Sequence, residues 1–408
     1  MKNRSELYKR PQGAAYAVAR FVGWVMSHFV YRRSFRRNEL KDVQGPFVVI
    51  ANHQSALDAA NLIGATRRRL TFVLSNSFYH SLPVSGLLTR LGVIVKQQFQ
   101  TELSDMKRMK SVLNAGEGLV LYPAGMMCED GVSTPIPPAT YAFLKWLGAD
   151  VYMARCEGNY FVMPKWTKGL RPGKTYMDIY RLFTKEELAT LPEAELRARA
   201  EQALMFDAYR EQETLHCTYK NNDDIRGLEN VLYQCPACEA EFSMRVPERS
   251  ELVCTACGYA ERSDAEGFLH RVSAFGPELR YVPDWSRRIY TALREKLRAG
   301  EELVLSCAVK IDIIDRERKK FVRAGTGKLT FTPERLTLCG ELCEQPLELS
   351  LSSAQFPTLP FKPGRTVELQ HGREIYRCSL HDGALAMKFI ALIKANFELQ
   401  QEKASSRR

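Results

Sequence analysis

The chain has 408 residues, 45 % apolar and 26 % charged, a globular composition that excludes a disordered or fibrous protein and a length that exceeds one compact core. A formal net charge of +11 and a pI near 9.1 favour anionic partners such as phospholipid headgroups, coenzyme A or nucleic acid.

Residues 14–31 are mostly apolar and aromatic, with Phe21, Val22, Trp24, Val25, Met26, Phe29 and Val30, and Arg32, Arg33, Arg36 and Arg37 follow. Arg20 and His28 interrupt a run already short for a bilayer span, so the pattern predicts an interfacial or half-inserted helix, or one packed on its domain; one helix can do both. It lacks the clean apolar core and small-residue cleavage site of a signal peptide, and the basic residues after it suit anionic lipid on a cytoplasmic leaflet.

Pro46 then opens an apolar run, Phe47, Val48, Val49, Ile50 and Ala51, that reads as a short buried strand ending in a loop with His53 and Asp58. A histidine can take a proton from a hydroxyl, and a carboxylate on its other ring nitrogen fixes the tautomer and stabilises the imidazolium. The next blocks are Leu91, Gly92, Val93, Ile94, Val95 and Lys96, then the apolar residues 118–121 followed by Tyr122, Pro123, Ala124, Gly125, Met126 and Met127, then an apolar strand over 149–156. Residues 185–213 have helical spacing, with Pro192 starting a second helix, and the polar residues 220–224 form a linker or exposed turn.

In order and interval these blocks resemble the glycerolipid acyltransferase family of the 1-acylglycerol-3-phosphate (PlsC-like) type over residues 15–220. Asn52, His53 and Asp58 match its first motif, NH followed by four residues and D. Gln98 falls where its second block carries a basic residue, the third block lacks the usual Glu and Arg, and Met153 stands in place of a Pro. The resemblance implies an α/β domain with a mixed sheet flanked by helices. It also implies a membrane-associated acyltransferase moving a fatty acyl group from acyl-CoA or acyl carrier protein to a hydroxyl of a lysophospholipid-like acceptor. His53 would be the base, Asp58 its orienter, and Asn52, Lys96, Tyr122, Pro123, Gly125 and Arg155 substrate-binding residues, with backbone amides around Gly125 meeting the oxyanion. The missing Glu and Arg remove the usual holders of a phosphate-bearing acceptor. Glu129 and Asp130, with Arg155, Lys165, Lys168 and Arg171, form either a rearranged acceptor site or a solvated face. The alternative is a catalytically inactive acyltransferase-fold scaffold that binds membrane lipid and partners.

Two CxxC pairs, Cys235 with Cys238 and Cys254 with Cys257, have the spacing of a zinc ribbon and predict one structural, four-thiolate Zn²⁺. Cys128, Cys156, Cys217, Cys307, Cys339, Cys343 and Cys378 show no framework, and an odd number of remaining thiols points to a reducing compartment. Cys128, beside the third block, reads as a small apolar side chain rather than a nucleophile, because the resembled family uses no thiol.

Residues 284–297 carry the stripe Trp285, Ile289, Tyr290, Leu293 and Leu297 of an amphipathic helix. From Glu302 the period changes to two, with strand-like pieces from Val304 to Lys310 and at 327–332, 335–339, 347–351, 366–370 and 375–379, and an amphipathic helix at 384–399 closes the chain. This β-rich pattern resembles a PH or GRAM domain, with Gly325 to Thr332 and Pro333, Glu334 and Arg335 as its strand, turn and strand. Arg316, Arg318, Lys319, Lys320 and Arg323 form either a headgroup site or a solvated hairpin tip. The expected domains are 1–225, the acyltransferase domain with its membrane-associating helix; 230–263, the zinc ribbon; 264–300, a helical linker; and 301–402, the PH/GRAM-like domain. Nucleic acid is not an expected partner, because Glu239, Glu241, Glu248, Glu251, Glu261 and Asp264 outnumber the ribbon's Arg residues. The expected location is the cytoplasmic face of the cell membrane, peripheral or half-inserted.

Overall fold

The structure is a computed structural model that describes residues 8–98 and 102–406; the first seven residues of the expected acyltransferase domain lie outside them. The chain divides into two compact units, one of residues Met1–Pro164 and Gly169–Asn222, the other of Lys165–Lys168 and Asp223–Arg408.

Among the described residues of the first unit, seven strands form one sheet: β1 (Ser34–Asn38), β2 (Phe47–Ala51), β3 (Leu70–Ser75), β4 (Ile94–Lys96), β5 (Gly118–Leu121), β6 (Asp150–Glu157) and β7 (Tyr176–Phe183). Their order is β1-β7-β6-β2-β5-β3-β4. β2 pairs in parallel with β5 and β6, while β7 runs antiparallel to β6 and parallel to β1, so the sheet is mixed as expected. All five β2 residues are buried, which explains why the segment reads as a continuous apolar run rather than an alternation. Val48 and Ile50 join Met109, Val112 and Leu144 on one face, and Phe47 and Val49 join Tyr16, Leu62 and Ile63 on the other. Each such side chain contributes about 1.5–3 kcal/mol on burial. Gly118 is required beside them, because a Cβ there would lie 2.6 Å from the Phe47 ring.

Helix α1 (Gly13–Val25) lies against α2 (Asp58–Leu62), the helix that begins with the candidate orienter. Gly23 permits the approach: a Cβ there would lie 2.3 Å from Ile63 Cγ2 and 2.8 Å from the Ala60 carbonyl. Tyr16 is buried and its hydroxyl accepts from the Leu70 amide at 2.8 Å. Val18, Phe21, Val22 and Trp24 are exposed, as is Phe29 in the wider turn Met26–Val30 that follows. That turn, closed by the Tyr31 amide on the Met26 carbonyl at 2.9 Å, delivers the fully buried Tyr31 to the sheet. Among the described residues no helix is long and apolar enough to cross a membrane.

Residues 185–213 hold three helices rather than the two expected: Lys185–Thr190, Glu193–Leu204 and Ala208–Leu215. Pro192 is the N-cap of the second, which it starts as predicted. The third has its own cap, Asp207, whose side chain accepts from the amides of Tyr209 and Arg210 at 3.1 Å each.

In the second unit, β8 (Met244–Arg245), β9 (Glu251–Cys254), β10 (Ala260–Ser263) and β11 (Leu269–Arg271) make an antiparallel sheet around the cysteine pairs. β11 falls in the stretch 264–300 expected as helical linker. The linker helix itself runs Val282–Arg298 and buries Trp285, whose indole donates to the Gln234 carbonyl at 2.9 Å. Beyond it, β12 (Leu305–Asp315), β13 (Lys320–Phe331), β14 (Arg335–Leu342), β15 (Gln345–Ser352), β16 (Phe361–Lys362), β17 (Thr366–His371) and β18 (Glu374–Leu380) form an antiparallel sheet in the order β15-β14-β13-β12-β18-β17-β16. The helix Leu385–Ser405 packs its buried Phe389, Ile390 and Ile393 in this unit. β12 and β13 are longer than the alternation predicts, because a register shift between Ile311 and Asp312 breaks the period and their outer halves are half-exposed. The basic hairpin is largely paired: Arg316 with Glu374 at 2.5 Å, Arg318 with Asp315 at 3.5 Å and Arg323 with Asp312 at 2.5 Å.

Candidate active site

The loop after β2 turns sharply because its polar groups are used within it. His53 Nδ1 lies 3.0 Å from Asp58 Oδ2, and the same oxygen accepts from the Gln54 and Ser55 amides at 2.8 and 2.9 Å. Asn159, just beyond β6, donates Nδ2 to Asp58 Oδ1 at 2.8 Å. The carboxylate is fully buried, with three donors on Oδ2 and one on Oδ1. Asp58 is therefore placed to hold His53, and its burial keeps it from solvent. With Asp58 accepting at Nδ1, the Nδ1–H tautomer leaves Nε2 as the basic nitrogen. No group among the described residues bonds Nε2, and the histidine side chain is 21 % exposed.

Asn52 does not face a ligand. Its Nδ2 donates to the Cys156 carbonyl at 2.7 Å and its Oδ1 accepts from the Cys156 amide at 2.8 Å, which fixes the start of the loop to β6. Tyr31 adds a bond from its hydroxyl to Ser55 Oγ at 3.0 Å.

The loop after β5 reaches the same place from the neighbouring strand. The Tyr122 ring stacks on the His53 imidazole with centroids 4.3 Å apart, and the Cys128 amide donates to the His53 carbonyl at 3.4 Å. The Tyr122 hydroxyl is buried without a partner, and burial raises its pKa well above the ordinary value. Gly125 adopts φ +70° and gives its amide to the Tyr122 carbonyl at 2.9 Å, closing the turn that also contains Pro123. Its own N–H is thus occupied, whereas the amides of Ala124, Met126 and Met127 donate to no group among the described residues. Gln98 donates Nε2 to the Gly125 carbonyl at 2.6 Å, joining the second and third blocks. Burial pushes the Cys128 thiol well above its usual pKa, with Asp130 and Glu129 adding to the effect, so it does not supply a thiolate.

The structure does not bring Lys96 and Arg155 into these contacts. Lys96 ends β4, where burial lowers its pKa and Asp105 opposes the shift. Arg155 donates to the carbonyls of Ala203, at 2.9 Å, and Met205, and pairs with Glu211. It lines an open cleft of about 530 Å³ with Ser133, Asp207 and Arg210. Asn159, Ser55 and Tyr31 are the members of the His53 and Asp58 network that sequence reasoning missed. Asn159 carries one signal, its place directly after Gly158 at the end of a central strand.

The Sγ atoms of Cys235, Cys238, Cys254 and Cys257 lie within 4.8 Å of one another, with Cys235 to Cys257 and Cys238 to Cys254 at 3.7 Å each. Four thiolates about 2.3 Å from a tetrahedral zinc stand about 3.8 Å apart, so the donor set fits that ion. The two knuckles repeat one geometry. The Glu239 amide bonds the Cys235 carbonyl at 3.0 Å and the Gly258 amide bonds that of Cys254 at 2.9 Å, with left-handed φ of 60° at Glu239 and 79° at Gly258. Ser243 Oγ lies 3.3 Å from Cys254 Sγ as an outer partner.

Residues 20–154 match the family model described as Acyltransferase, a span that includes β2, the His53 loop and the loop after β5. The N-terminal region therefore carries an acyltransferase-family domain. Among solved structures the chain is similar to the 1-acyl-sn-glycerophosphate (LPA) acyltransferase PlsC of Thermotoga maritima, at 19 % identity, 53 % of this chain, 84 % of that one and TM-score 0.41. It is also similar to the Ran binding domain of the nuclear complex component Nup2 of Ashbya gossypii, at 19 % identity, 24 % of this chain, 96 % of that one and TM-score 0.19. No curated protein matches it.

Proposed function

We propose that this chain is a membrane-associated O-acyltransferase that moves a fatty acyl group from acyl-CoA or acyl carrier protein to a hydroxyl of a lysophospholipid-like acceptor. The observation that carries the reading is the His53–Asp58 pair at 3.0 Å with Nε2 left free, inside the segment that matches the family. His53 Nε2 takes the proton of the acceptor hydroxyl as its oxygen attacks the thioester carbonyl. The tetrahedral oxyanion is met by backbone donors, for which the amides of Ala124, Met126 and Met127, undonated among the described residues, are the candidates. Collapse breaks the C–S bond with its electron pair going to sulfur, and the imidazolium gives its proton to the departing thiolate. The stacked Tyr122 ring and the buried Asp58 hold the imidazole through both steps.

The exposed apolar side chains of α1 and its final turn support binding to a membrane surface, with Arg32, Arg36 and Arg37 following for anionic headgroups on a cytoplasmic leaflet. The four-cysteine site is read as one structural Zn²⁺, because it leaves no open coordination position. The seven antiparallel strands and terminal helix support a PH/GRAM-like reading of the C-terminal domain. An inactive scaffold is the second reading, favoured by the neutral Gln98 and the altered third block. Product formation from a labelled acyl thioester separates the two: wild-type transfer supports the enzyme, and its absence across donors and acceptors supports the scaffold.

A further inference from the structure

We infer that Asn159 and Asn61 are positioning residues for the acyl transfer, two side-chain amides in series that keep a hydrogen-bond donor turned toward Asp58; the inference rests on the acyl-transfer reading above. Of the two Asp58 oxygens, Oδ2 takes His53 and two loop amides, while Oδ1 takes Asn159 alone among the described residues. A carboxylate only accepts, so the pair is held only while Asn159 presents Nδ2 rather than its own oxygen. A half-turn of that amide would set oxygen against oxygen in a buried site, where Asp58 is 1 % exposed and Asn159 and Asn61 are 0 %.

Asn61 is what prevents the half-turn. Its Nδ2 donates to Asn159 Oδ1 at 3.4 Å, which commits the Asn159 oxygen to Asn61 and leaves the nitrogen for Asp58. Asn61 is itself fixed in one sense. Arg33 Nη1 donates to the Asn61 carbonyl and lies 3.4 Å from Asn61 Oδ1, and Ser27 Oγ lies 3.3 Å from the same Oδ1. A guanidinium has no acceptor, so the Asn61 atom that faces it is the oxygen, and the amide nitrogen is sent to Asn159. The direction set at Arg33 thus passes through two amides to the carboxylate. The members come from separate parts of the chain: Ser27 from the turn Met26–Val30, Asn61 from α2, and Asn159 from just after Gly158, whose φ of +81° turns the chain out of β6. A buried polar chain costs desolvation at every member, and this one ends on the group that holds His53.

The test measures kcat and KM for transfer from one long-chain acyl-CoA to whichever of lysophosphatidic acid, lysophosphatidylglycerol and monoacylglycerol wild type acylates fastest. Full-length Asn159→Ala, Asn61→Asp, Asp58→Asn and the double variant Asp58→Asn with Asn159→Ala are compared, each checked by thermal unfolding. Asn61→Ala, which brings no charge, replaces Asn61→Asp if the latter does not fold. Expected for Asn159→Ala is a kcat lower by about 10–100-fold with KM within about twofold, the effect of one hydrogen bond to a charged group. Asn61→Asp keeps the acceptor for Arg33 and Ser27 and removes the donor to Asn159, so it is expected to lose kcat to a similar degree although its side chain bonds neither His53 nor Asp58. In the Asp58→Asn background, Asn159→Ala is expected to cost less than about twofold more, because no carboxylate is left to hold. An equal factor in both backgrounds is the mark of a structural role and overturns the inference while the acyl-transfer reading stands. Wild-type kcat in Asn61→Asp, or a loss in Asn159→Ala carried by KM alone, also overturns it. Transfer by wild type to none of the three acceptors overturns both.

Discussion

Asn52 and Cys156 are joined by two hydrogen bonds, the Asn52 amide donating to the Cys156 carbonyl at 2.7 Å and accepting from its amide at 2.8 Å. The side chain stands in for another residue of β2 and continues the β2–β6 ladder into the loop that carries His53. Asn52→Ala leaves two buried backbone groups unpaired and is expected to lower stability by about 1–3 kcal/mol, with activity falling as His53 loses its support. Denaturant unfolding of the first unit, followed beside initial rates, checks this; an unchanged midpoint would make the bridge dispensable.

Asp58 receives four donors and makes no contact outside the loop, Asn159 and His53. Asp58→Asn keeps the shape but removes the charge that fixes the tautomer. A loss of about 10³–10⁴-fold in kcat with little change in KM is expected, by analogy with the serine-protease triad. Steady-state kinetics on both variables decides it.

Tyr122 lies on the imidazole face, and its hydroxyl is buried without a partner. The stacking gives the ring a packing and orienting role on the imidazole. Tyr122→Phe should keep kcat and match or exceed wild-type stability, by as much as about 1–3 kcal/mol, because an unpaired hydroxyl is removed. Tyr122→Leu should lose kcat while KM holds. A kcat loss in the Phe variant would assign the hydroxyl a direct role.

The fate of the cysteine cluster can be read without any activity assay. One zinc per chain by elemental analysis is expected, with Cys257→Ser losing the metal and the second unit becoming protease-sensitive. Metal-free wild-type protein that resists proteolysis equally well would contradict a structural ion.

Glu211 supplies a pH signature. Burial raises its carboxyl to about 7 from 4.5, with Arg155 pulling the other way. The folded state therefore holds the proton more tightly than the unfolded one, so the stability from this group is full below about 4.5 and is lost as pH rises to about 7. Wild type should lose about 3 kcal/mol relative to Glu211→Gln between pH 4.5 and 8. Parallel stability curves for the two proteins would place Glu211 in ordinary solvation.

The parts legible in the sequence are those whose chemistry is local. Each CxxC knuckle closes within itself, so spacing carries the cysteines, whereas His53 and Asp58, five residues apart on one loop, are singled out by the ordered blocks that follow them. β2 was readable because both its faces are buried. Asn159 was not, since it meets Asp58 only through the folding of β6 beside β2, 101 residues along the chain. Arg155 looked available as a bare cation, and only the helix capped by Asp207 brings Glu211 to it. β1 hides for another reason: Arg36 and Arg37 give an edge strand the composition of a loop, and it forms because β7 offers it a parallel partner.

The most direct test of the central claim is acyl transfer from a labelled acyl-CoA to lysolipid by the full chain and by His53→Ala, both checked for folding by thermal unfolding. The His53–Asp58 geometry predicts product with wild type and a loss of at least about 10³-fold in the variant. Equal rates in the two proteins would contradict it.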